Sequence, residues 1–525
     1  MDRLFVFGIG GSGERVMRSL VMLLSGGMPL DCNVIQPVFI DSDKKSKALS
    51  RACEAISAYR KARRLYSGKT DVAWTIDPLV QSSSLFHVDI LEPILLDIDG
   101  GIAKNLNALV NETEMDKYPG VKEEYNHLYT NDSRSMDLTY GFVGNPSIGA
   151  VVLNKMLQEA FNTNPNLNPT TNDGCFIINS IFGGTGAAGF PLLVNKLRDM
   201  FKGNIDGLKI GGLTMFPYFD LVDVADDGSV MEQELRKYDV DHSQFSTKSK
   251  ASLSYYDKYV KCLSSLYFIG SGSMSLRSTY PKHKGGEDQD NPAHLLEVIG
   301  AKAVSHFSFN AKPLDKQMQT NNFQGATTYY SYFVKEDPQS GKFFDLESID
   351  ADIDFRAVFV RMQLMHFVWM TCVPRWINTA GNQWRTSIGM EKGKYDTMMG
   401  TYLRDYFEQY EQWVSELQSP FHSKGFQFHF FDAKSAMCDP EADIRIGNYF
   451  FPKISHISKG FLRGNSIVDP KILGKMQGKA NEHNKKGFTN DDMRYKFAFY
   501  TSLFAIEHIV TDRNNDQCIN LAFNR

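Results

Sequence analysis

Cysteine is scarce in this sequence, and neither sign of charge is in large excess. The seven cysteines are scattered between Cys32 and Cys518 of the 525 residues without a CxxC pair, which excludes a disulfide framework and a CxxC-type zinc site. We therefore expect reduced thiols and a cytoplasmic location. The formal net charge of −4 provides no basic field, so the composition does not indicate nucleic acid as a partner.

Long apolar runs are also lacking. The most apolar long stretch, residues 358–373, contains Arg361 and His366, so it predicts a core helix and no membrane span. Residues 1–5 lead directly into a predicted strand, and we therefore expect no signal peptide. Hydrophobic residues at 42% and charged residues at 22% are typical of globular proteins, and the length predicts two or three domains.

Residues 183–189 form a glycine-rich turn between a predicted buried strand and an amphipathic helix. We call this turn the third glycine loop, because two others precede it in the chain. Glycine backbone can approach an anion without a Cβ in the way, and a helix N-terminus directs N–H groups at the same place. The loop therefore predicts a phosphate site at Gly183, Gly184, Thr185 and Gly186, with the Thr185 hydroxyl as an added donor. It lacks the Lys-Ser/Thr pair that closes a Walker A loop.

Residues 8–13 form the first glycine loop, which lies between a short apolar strand and a helix that runs to about residue 24. Its candidate ligand-binding residues are Gly10, Gly11, Ser12 and Gly13. The GxGxxG spacing fits a dinucleotide site, another nucleotide site, or merely close packing of a strand against a helix.

The strand predicted at residues 36–40 ends in two carboxylates, Asp41 and Asp43. Open α/β sheets bind ligands beyond the carboxyl ends of their strands. These acids could bind a ribose hydroxyl of a dinucleotide, approach the ribose or Mg²⁺ of a nucleoside triphosphate, or form a solvated strand end.

A second glycine loop, residues 141–146, precedes a helix predicted to run to about residue 161. Its candidate site residues are Gly144, Asn145 and Pro146, and proline suits the first turn of a helix. This is another potential anion-binding helix start.

The helix predicted at residues 291–307 is apolar around most of its circumference, so we expect it to be buried on both sides, between two domains. The predicted fold class is α/β. It comprises a Rossmann-like parallel-sheet domain at 1–290, the central helix at 291–307, and a second mixed α/β domain with insertions at 308–525, whose strands we expect near 426–431 and 449–454.

The order of these loops resembles the tubulin/FtsZ superfamily, and FtsZ more closely than eukaryotic tubulin. Residues 8–13 (GIGGSG) resemble its first glycine-rich loop, GxGGxG. Residues 39–43 (FIDSD) are similar to the strand end that carries Asn-Thr-Asp in that family. Residues 144–149 (GNPSIG) match the family's GGNPEIG loop, and residues 182–191 (FGGTGAAGFP) are similar to the signature GGGTGTGAAP. The motifs cover about residues 4–307.

The resemblance implies GTP or GDP as the ligand, with Mg²⁺. The first and third glycine loops would hold the phosphates through backbone N–H groups, and Gly144, Asn145 and Pro146 would approach the γ-phosphate side. Asn291 matches the base-contacting asparagine of the family, and an amide that both donates and accepts suits guanine. A helix N-cap before Pro292 is the alternative role for Asn291, and the two roles are compatible.

The family's catalytic acidic pattern, Asn-x-Asp-x-x-Asp/Glu soon after the central helix, is absent there. The nearest spacing is Asp345-x-Glu347-x-x-Asp350, with Asp352-x-Asp354 as a competing register. Catalytic roles for Glu347, Asp350 and Asp354 are thus one interpretation, and an acidic cluster at a helix start is the other.

Three functional hypotheses follow. The first is a prokaryotic-type GTPase that assembles head to tail with copies of itself, with GTP at the subunit interface. The second is a GTP- or GDP-binding scaffold or sensor without efficient turnover, which the missing acidic pattern favours. The third, an NAD enzyme, rests on the first glycine loop and Asp41 and explains neither of the other loops. We find no disordered tail of the kind FtsZ uses to recruit division partners.

Overall fold

The computed structural model describes most of the chain in several segments: residues 1–66, 84–96, 104–142, 145–201, 203–222, 245–271, 278–281, 289–334, 355–378, 383–417 and 490–511. Some predicted features lie outside these residues: Gly144, the acidic residues 345–354 and the strands expected near 426–431 and 449–454. Their predicted roles stay predictions.

The strands form one large sheet and one small ribbon. In chain order they are β1 (Leu4–Ile9), β2 (Val34–Ile40), β3 (Asp89–Ile90), β4 (Ile94–Leu96), β5 (Gly174–Ser180), β6 (Lys209–Met215), β7 (Phe219–Val222), β8 (Ser265–Ser271), β9 (Ser278–Pro281) and β10 (Thr328–Val334). The large sheet has the order β10-β8-β6-β5-β1-β2-β3, and β4 also pairs with β2. All its pairs are parallel, which confirms the α/β class with a Rossmann-like sheet.

The strand order reverses between β1 and β5. The chain runs from β1 outward through β2 to β3 and β4, then returns to place β5 on the other side of β1. Ligands in open α/β sheets bind at this switch point, beyond the carboxyl ends of the strands. The first glycine loop spans the end of β1 and the start of α1, and the third lies just after β5, so both are at the switch point.

Helices cover both faces of the sheet. In chain order they are α1 (Gly10–Ser25), α2 (Lys47–Arg63), α3 (Leu106–Leu109), α4 (Glu112–Met115), α5 (Pro119–Leu128), α6 (Asn131–Ser135), α7 (Pro146–Thr163), α8 (Gly184–Met200), α9 (Phe245–Tyr259), α10 (Leu295–Asn310), α11 (Lys316–Thr320), α12 (Phe355–Phe367), α13 (Val373–Asn378), α14 (Gln383–Ile388), α15 (Lys392–Met398), α16 (Arg404–Leu417) and α17 (Asp491–Thr511). Because strand side chains alternate, Leu4 and Val6 of β1 join the core with α1 and α10, whereas Phe5 and Phe7 join the core with α7 and α8.

The central helix α10 begins four residues later than predicted. His294 is its N-cap: the Leu296 N–H donates to His294 Nδ1 (3.1 Å), and the His294 N–H donates to Glu297 Oε2 (2.8 Å). This reciprocal capping fixes the start at Leu295, so a start at Asn291 is wrong. Residues 295–308 are buried throughout, which confirms that the helix is enclosed on all sides.

Helices of the C-terminal half pack on α1 and α2. Trp413 of α16 donates to Ser19 Oγ of α1 (3.2 Å), and Tyr406 of α16 shares a hydrogen bond with Ser25 (2.7 Å). The apolar stretch near residue 358 is a buried helix, as predicted, with Met362 and Trp369 in the core. Among the described residues, no helix is long and apolar enough to cross a membrane.

The large sheet extends past the predicted domain boundary. Strand β10 lies within the range 308–525 that the sequence assigns to the second domain, yet it pairs with β8 at the sheet edge. The division into domains otherwise stays a prediction.

Candidate functional site

Three segments that the sequence singles out separately meet at Gly10. This residue has a left-handed φ of +67°, which glycine adopts readily. A Cβ placed on it would lie 3.4 Å from Thr185 Cβ, 3.8 Å from the Gly186 nitrogen and 3.9 Å from Asp41 Oδ2. The first glycine loop, the third glycine loop and the end of β2 therefore surround one point.

The glycines of the first glycine loop differ in how closely other atoms pack against them. A Cβ on Gly13 would lie 2.7 Å from the carbonyl carbon of Gly8 and 2.9 Å from the Ile178 oxygen, so α1 packs directly on the strand backbone. Gly11 is only half-buried, and a Cβ there would meet nothing closer than Arg15 Nη1 at 3.4 Å. Close strand–helix packing thus explains Gly8 and Gly13 and does not explain Gly11, whose role in ligand binding stays a prediction.

The third glycine loop is shorter than predicted, because α8 already begins at Gly184 and contains Pro191. Asn179 of β5 holds the first turn of α8 in place through its side chain. Its Nδ2 donates to the Gly186 carbonyl (3.4 Å) and to the Tyr256 hydroxyl (3.0 Å), and its Oδ1 accepts from the Thr214 hydroxyl (3.0 Å). The first N–H groups of an α-helix have no partner within the helix, so this supported N-terminus can donate to an anion.

The second glycine loop borders the same place. Pro146 occupies the first turn of α7, as predicted, and Asn145 precedes it as the N-cap residue. A Cβ on Gly149 would lie 3.0 Å from the Gly184 carbonyl oxygen, so α7 packs closely on the start of α8. A Cβ on Gly141 would lie 3.9 Å from Ser42 Oγ, which places this loop beside the segment after β2.

Three buried carboxylates flank this point. Asp41 and Asp43 are 9% and 7% exposed, so a solvated strand end is wrong, and the Asp43 N–H donates to Asp41 Oδ1 (3.1 Å). Glu14 of α1, which the sequence-based prediction did not include in the site, is fully buried, and its Oε2 accepts from Ser46 (2.9 Å). Glu14 lies four residues after Gly10, on the same face of the helix, and this spacing is the sequence feature that indicates its place beside the site.

Burial disfavours the charged forms of Asp41 and Glu14. It raises the pKa of Asp41 to about 7, with the hydrogen bond from the Asp43 N–H acting in the opposite direction and the Asp43 charge adding to the rise. Burial, followed by the charge of Asp41, raises the pKa of Glu14 well above its ordinary value. Among the described residues, no group of three or more His, Cys, Asp or Glu has the arrangement of a metal site.

Arg15 is buried and does not extend to solvent, and its guanidinium lies beside the first glycine loop, where Nη2 donates to Ser12 Oγ (3.4 Å). Its Nε donates to Glu297 Oε1 of the central helix (2.7 Å), and its Nη2 donates to the Tyr218 hydroxyl (2.9 Å). Tyr218 in turn donates to Glu297 Oε1 (2.7 Å). This buried triad joins the first glycine loop to α10. The apolar pattern of this helix in the sequence gives no indication of such a role for Glu297.

Asn291 lies in the segment before α10 and is not its N-cap. The segment is held at Ala293, whose N–H donates to Glu416 Oε2 (2.9 Å), and at the Pro292 carbonyl, which accepts from Tyr280 (3.2 Å). Asn291 is 8% exposed, and its Nδ2 is buried without a hydrogen-bond partner among the residues that the structure describes.

The fold and these loops define an α/β protein with glycine loops gathered at the switch point of a parallel sheet. No protein-family model matches the sequence, and no curated protein does.

The solved structures that are similar to the chain include two of CetZ proteins. One is CetZ2 from Haloferax volcanii, described as a GTPγS-bound protofilament, at 13% identity, TM-score 0.27, and coverage of 61% of this chain and 62% of that chain. The other is CetZ from Methanosaeta thermophila strain DSM 6194, at 11% identity, TM-score 0.27, and coverage of 61% and 59%. The match spans about three fifths of each of those chains, and at this TM-score nothing is transferred from them to individual residues.

Proposed function

We propose that this protein binds GTP and GDP at the switch point between β1 and β5. The observation that carries the proposal is the meeting of Gly10, Thr185, Gly186 and Asp41 around one point, at the N-termini of two helices. Glycine backbone and helix N–H groups suit phosphate oxygens, and the Thr185 hydroxyl adds a donor. Gly11 and Ser12 of the first glycine loop, with Gly183 and Gly184 of the third, complete the predicted cradle.

The neighbouring acids suit a cation-complexed polyphosphate. Mg²⁺ commonly binds one or two protein carboxylates together with substrate phosphates, and it would neutralise phosphate charge. Asp41 and Glu14 are the carboxylates nearest the glycines of the cradle, since a Cβ on Gly11 would lie 3.9 Å from Glu14 Oε2. Asp43 orients Asp41 through its backbone N–H.

We further propose that copies assemble head to tail into filaments and hydrolyse GTP across the contact. A heterologous contact that does not close generates a filament, and nucleotide at the contact would make assembly switchable. Glu347, Asp350 or Asp354 of the next copy would orient the attacking water. A cytoplasmic, prokaryotic setting fits this function.

A non-hydrolysing GTP- or GDP-binding scaffold or sensor is the second candidate, since the acidic pattern after the central helix is absent from the sequence. An NAD enzyme is less well supported, because it gives no reason for the second and third glycine loops.

Two experiments test these proposals. Mass spectrometry of nucleotide released from the purified protein should detect GDP or GTP, and nicotinamide nucleotide would instead support the NAD enzyme. Incubation with GTP and Mg²⁺, followed by pelleting, electron microscopy and phosphate release, should show filaments and turnover. Bound guanine nucleotide without either would favour the scaffold, and the absence of any nucleotide binding would refute the proposal.

A further inference from the structure

Helix α9 presents an exposed face that combines aromatic rings with positive charge. Tyr255 and Tyr259 are 45% and 42% exposed, and their ring centroids lie 4.5 Å apart, so the two rings pack on each other outside the core. Lys258 Nζ lies 5.2 Å from the centroid of the Tyr259 ring, and Lys248 lies two turns before Tyr255 on the same side of the helix. The helix contains three lysines and one acidic residue. This face, the α9 face, is therefore aromatic and positively charged.

Helix α5 presents an exposed face of the opposite charge. Val121 and Leu128 are 53% and 67% exposed, and Glu124 lies between them at helical spacing on the same side. Glu123 and Glu124 are both exposed, and within the described part of the chain neither pairs with a cation. The single lysine of the helix already pairs with Asp116. This face, the α5 face, is therefore apolar and negatively charged.

The two faces lie at different ends of one layer of helices. Tyr256 of α9 and Tyr125 of α5 belong to the same core cluster, so both helices cover the same face of the large sheet. Helix α9 packs on α8, α8 packs on α7, and α7 packs on β4 at one edge of the sheet. Helix α5 belongs to the group of short helices between β4 and α7, whereas α9 leads into β8 near the other edge. Within one copy, α7 and α8 therefore separate the α9 face from the α5 face.

We propose that copies of this protein associate side by side, with the α9 face of one copy against the α5 face of the next. Charge complementarity selects this occupant, because lysines of one face meet glutamates of the other. Both faces also contribute exposed apolar or aromatic side chains of the kind that interfaces bury. Because the two faces differ, the contact is heterologous and continues from copy to copy unless a rotation closes it into a ring.

This contact differs from the proposed head-to-tail contact in direction and in its requirements. It joins helices at two edges of the sheet, whereas the proposed nucleotide site lies beyond the carboxyl ends of the strands. None of its residues belongs to the glycine loops. The side-by-side contact therefore requires no nucleotide, and it can be tested without one.

Sedimentation velocity on the full chain without nucleotide tests the contact. We expect association at roughly 0.1 M salt that weakens in roughly 1 M salt, because the Debye length falls from about 10 Å to about 3 Å. Lys248→Glu/Lys258→Glu reverses the charge of the α9 face, and Glu123→Lys/Glu124→Lys reverses that of the α5 face. Each double variant alone should associate at least roughly 10-fold more weakly than the unaltered protein, because like charges then face each other.

An equimolar mixture of the two double variants is the sharper test. The reversed α9 face of one variant meets the reversed α5 face of the other, so the mixture should recover the association of the unaltered protein although neither variant associates alone. Lys312→Glu/Lys392→Glu is the matched control, because it makes the same change in net charge at exposed lysines outside both faces. It should associate like the unaltered protein.

The outcomes that would overturn the inference are distinct from those that bear on nucleotide binding. An unaltered protein that stays monomeric at every concentration would overturn it, and so would double variants that associate like the unaltered protein. A mixture that fails to recover association would also overturn it and would indicate that these faces bind something other than a second copy. Absence of guanine-nucleotide binding would refute the proposed function without changing any of these results.

Discussion

The first glycine loop offers a direct test of whether neighbouring glycines serve packing or ligand access. In Gly13→Ala the new methyl would lie 2.7 Å from the Gly8 carbonyl carbon, 2.8 Å from Gly8 Cα and 2.9 Å from the Ile178 oxygen. All three are backbone atoms of β1 and β5, so relief requires a shift of α1 against the sheet. Overpacking of this kind typically costs about 1–3 kcal/mol.

Gly11→Ala is the matched control two residues away. Its methyl would meet only the ends of two side chains, at 3.4 Å and 3.9 Å, and its φ lies outside the left-handed region. Alanine within a helix is favoured over glycine by roughly 0.5–1 kcal/mol, so stability should be unchanged or slightly higher. The methyl would nevertheless stand where the backbone has to approach phosphate.

Thermal unfolding without ligand and calorimetric titration with GTP separate the two effects. Gly13→Ala should unfold at a lower temperature, by about 2–4 °C for each kcal/mol in a domain of 150–250 residues. Gly11→Ala should unfold like the unaltered protein and bind GTP at least 10-fold more weakly, since a phosphate hydrogen bond to a charged acceptor contributes roughly 1.5–3 kcal/mol. An unchanged unfolding temperature for Gly13→Ala would refute the packing role. Unchanged GTP affinity of Gly11→Ala would refute the cradle.

Three further predictions concern charged residues. Glu297→Gln should destabilise the protein by about 3–5 kcal/mol because it leaves Arg15 buried without its anion, and the double variant Arg15→Met/Glu297→Leu should recover much of this in chemical denaturation. Asp41 binds a proton more tightly in the folded state than in the unfolded chain, because its pKa is raised to about 7 on folding. The stability of the ligand-free protein should therefore fall as pH rises from about 4 to 7, by at most about 1.4 kcal/mol per pH unit from this group. Asp41→Asn should flatten the dependence of the thermal-unfolding temperature on pH over that range. Asp350→Asn and Asp354→Asn, assayed separately, should abolish GTP turnover in at least one case without loss of binding if these acids act in hydrolysis, and unchanged turnover in both would favour the scaffold.

The parallel sheet and the position of the loops could be predicted because they depend on local chemistry. Dense glycine after an apolar strand has few structural uses, and the switch point follows from alternating strands and helices. Local rules fail where tertiary contacts decide. Pro292 favours a helix start near Asn291, but hydrogen bonds from Tyr280 and to Glu416 hold that segment, and His294 caps the helix instead.

The partners of charged side chains could not be derived from the sequence. Arg15 and Glu297 are 282 residues apart in the chain, and Arg18 and Glu416 are 398 apart, so no spacing rule connects them. Strand β10 could not be predicted from the sequence for a different reason. Its sequence, TYYSYFV, is rich in aromatic residues that favour strands, yet it stands in a polar region without regular alternation.

The carboxylates beside the proposed phosphate site affect which anions it would bind. Asp41 Oδ2 lies 3.9 Å from a Cβ on Gly10, and Glu14 Oε2 lies 3.9 Å from a Cβ on Gly11, where Arg15 Nη1 is nearer at 3.4 Å. A bare phosphate would therefore be placed against two buried acids and one guanidinium. Like charges at such distances repel strongly where water is excluded. Burial raises the pKa of Asp41 and of Glu14, which favours the protonated form of each acid when no ligand is bound. A divalent cation that arrives with the phosphates can replace those protons and turn the acids into ligands. Inorganic phosphate or sulfate brings no cation to replace those protons. We therefore predict that these acids favour binding of a cation-bound nucleoside triphosphate over binding of a simple oxyanion.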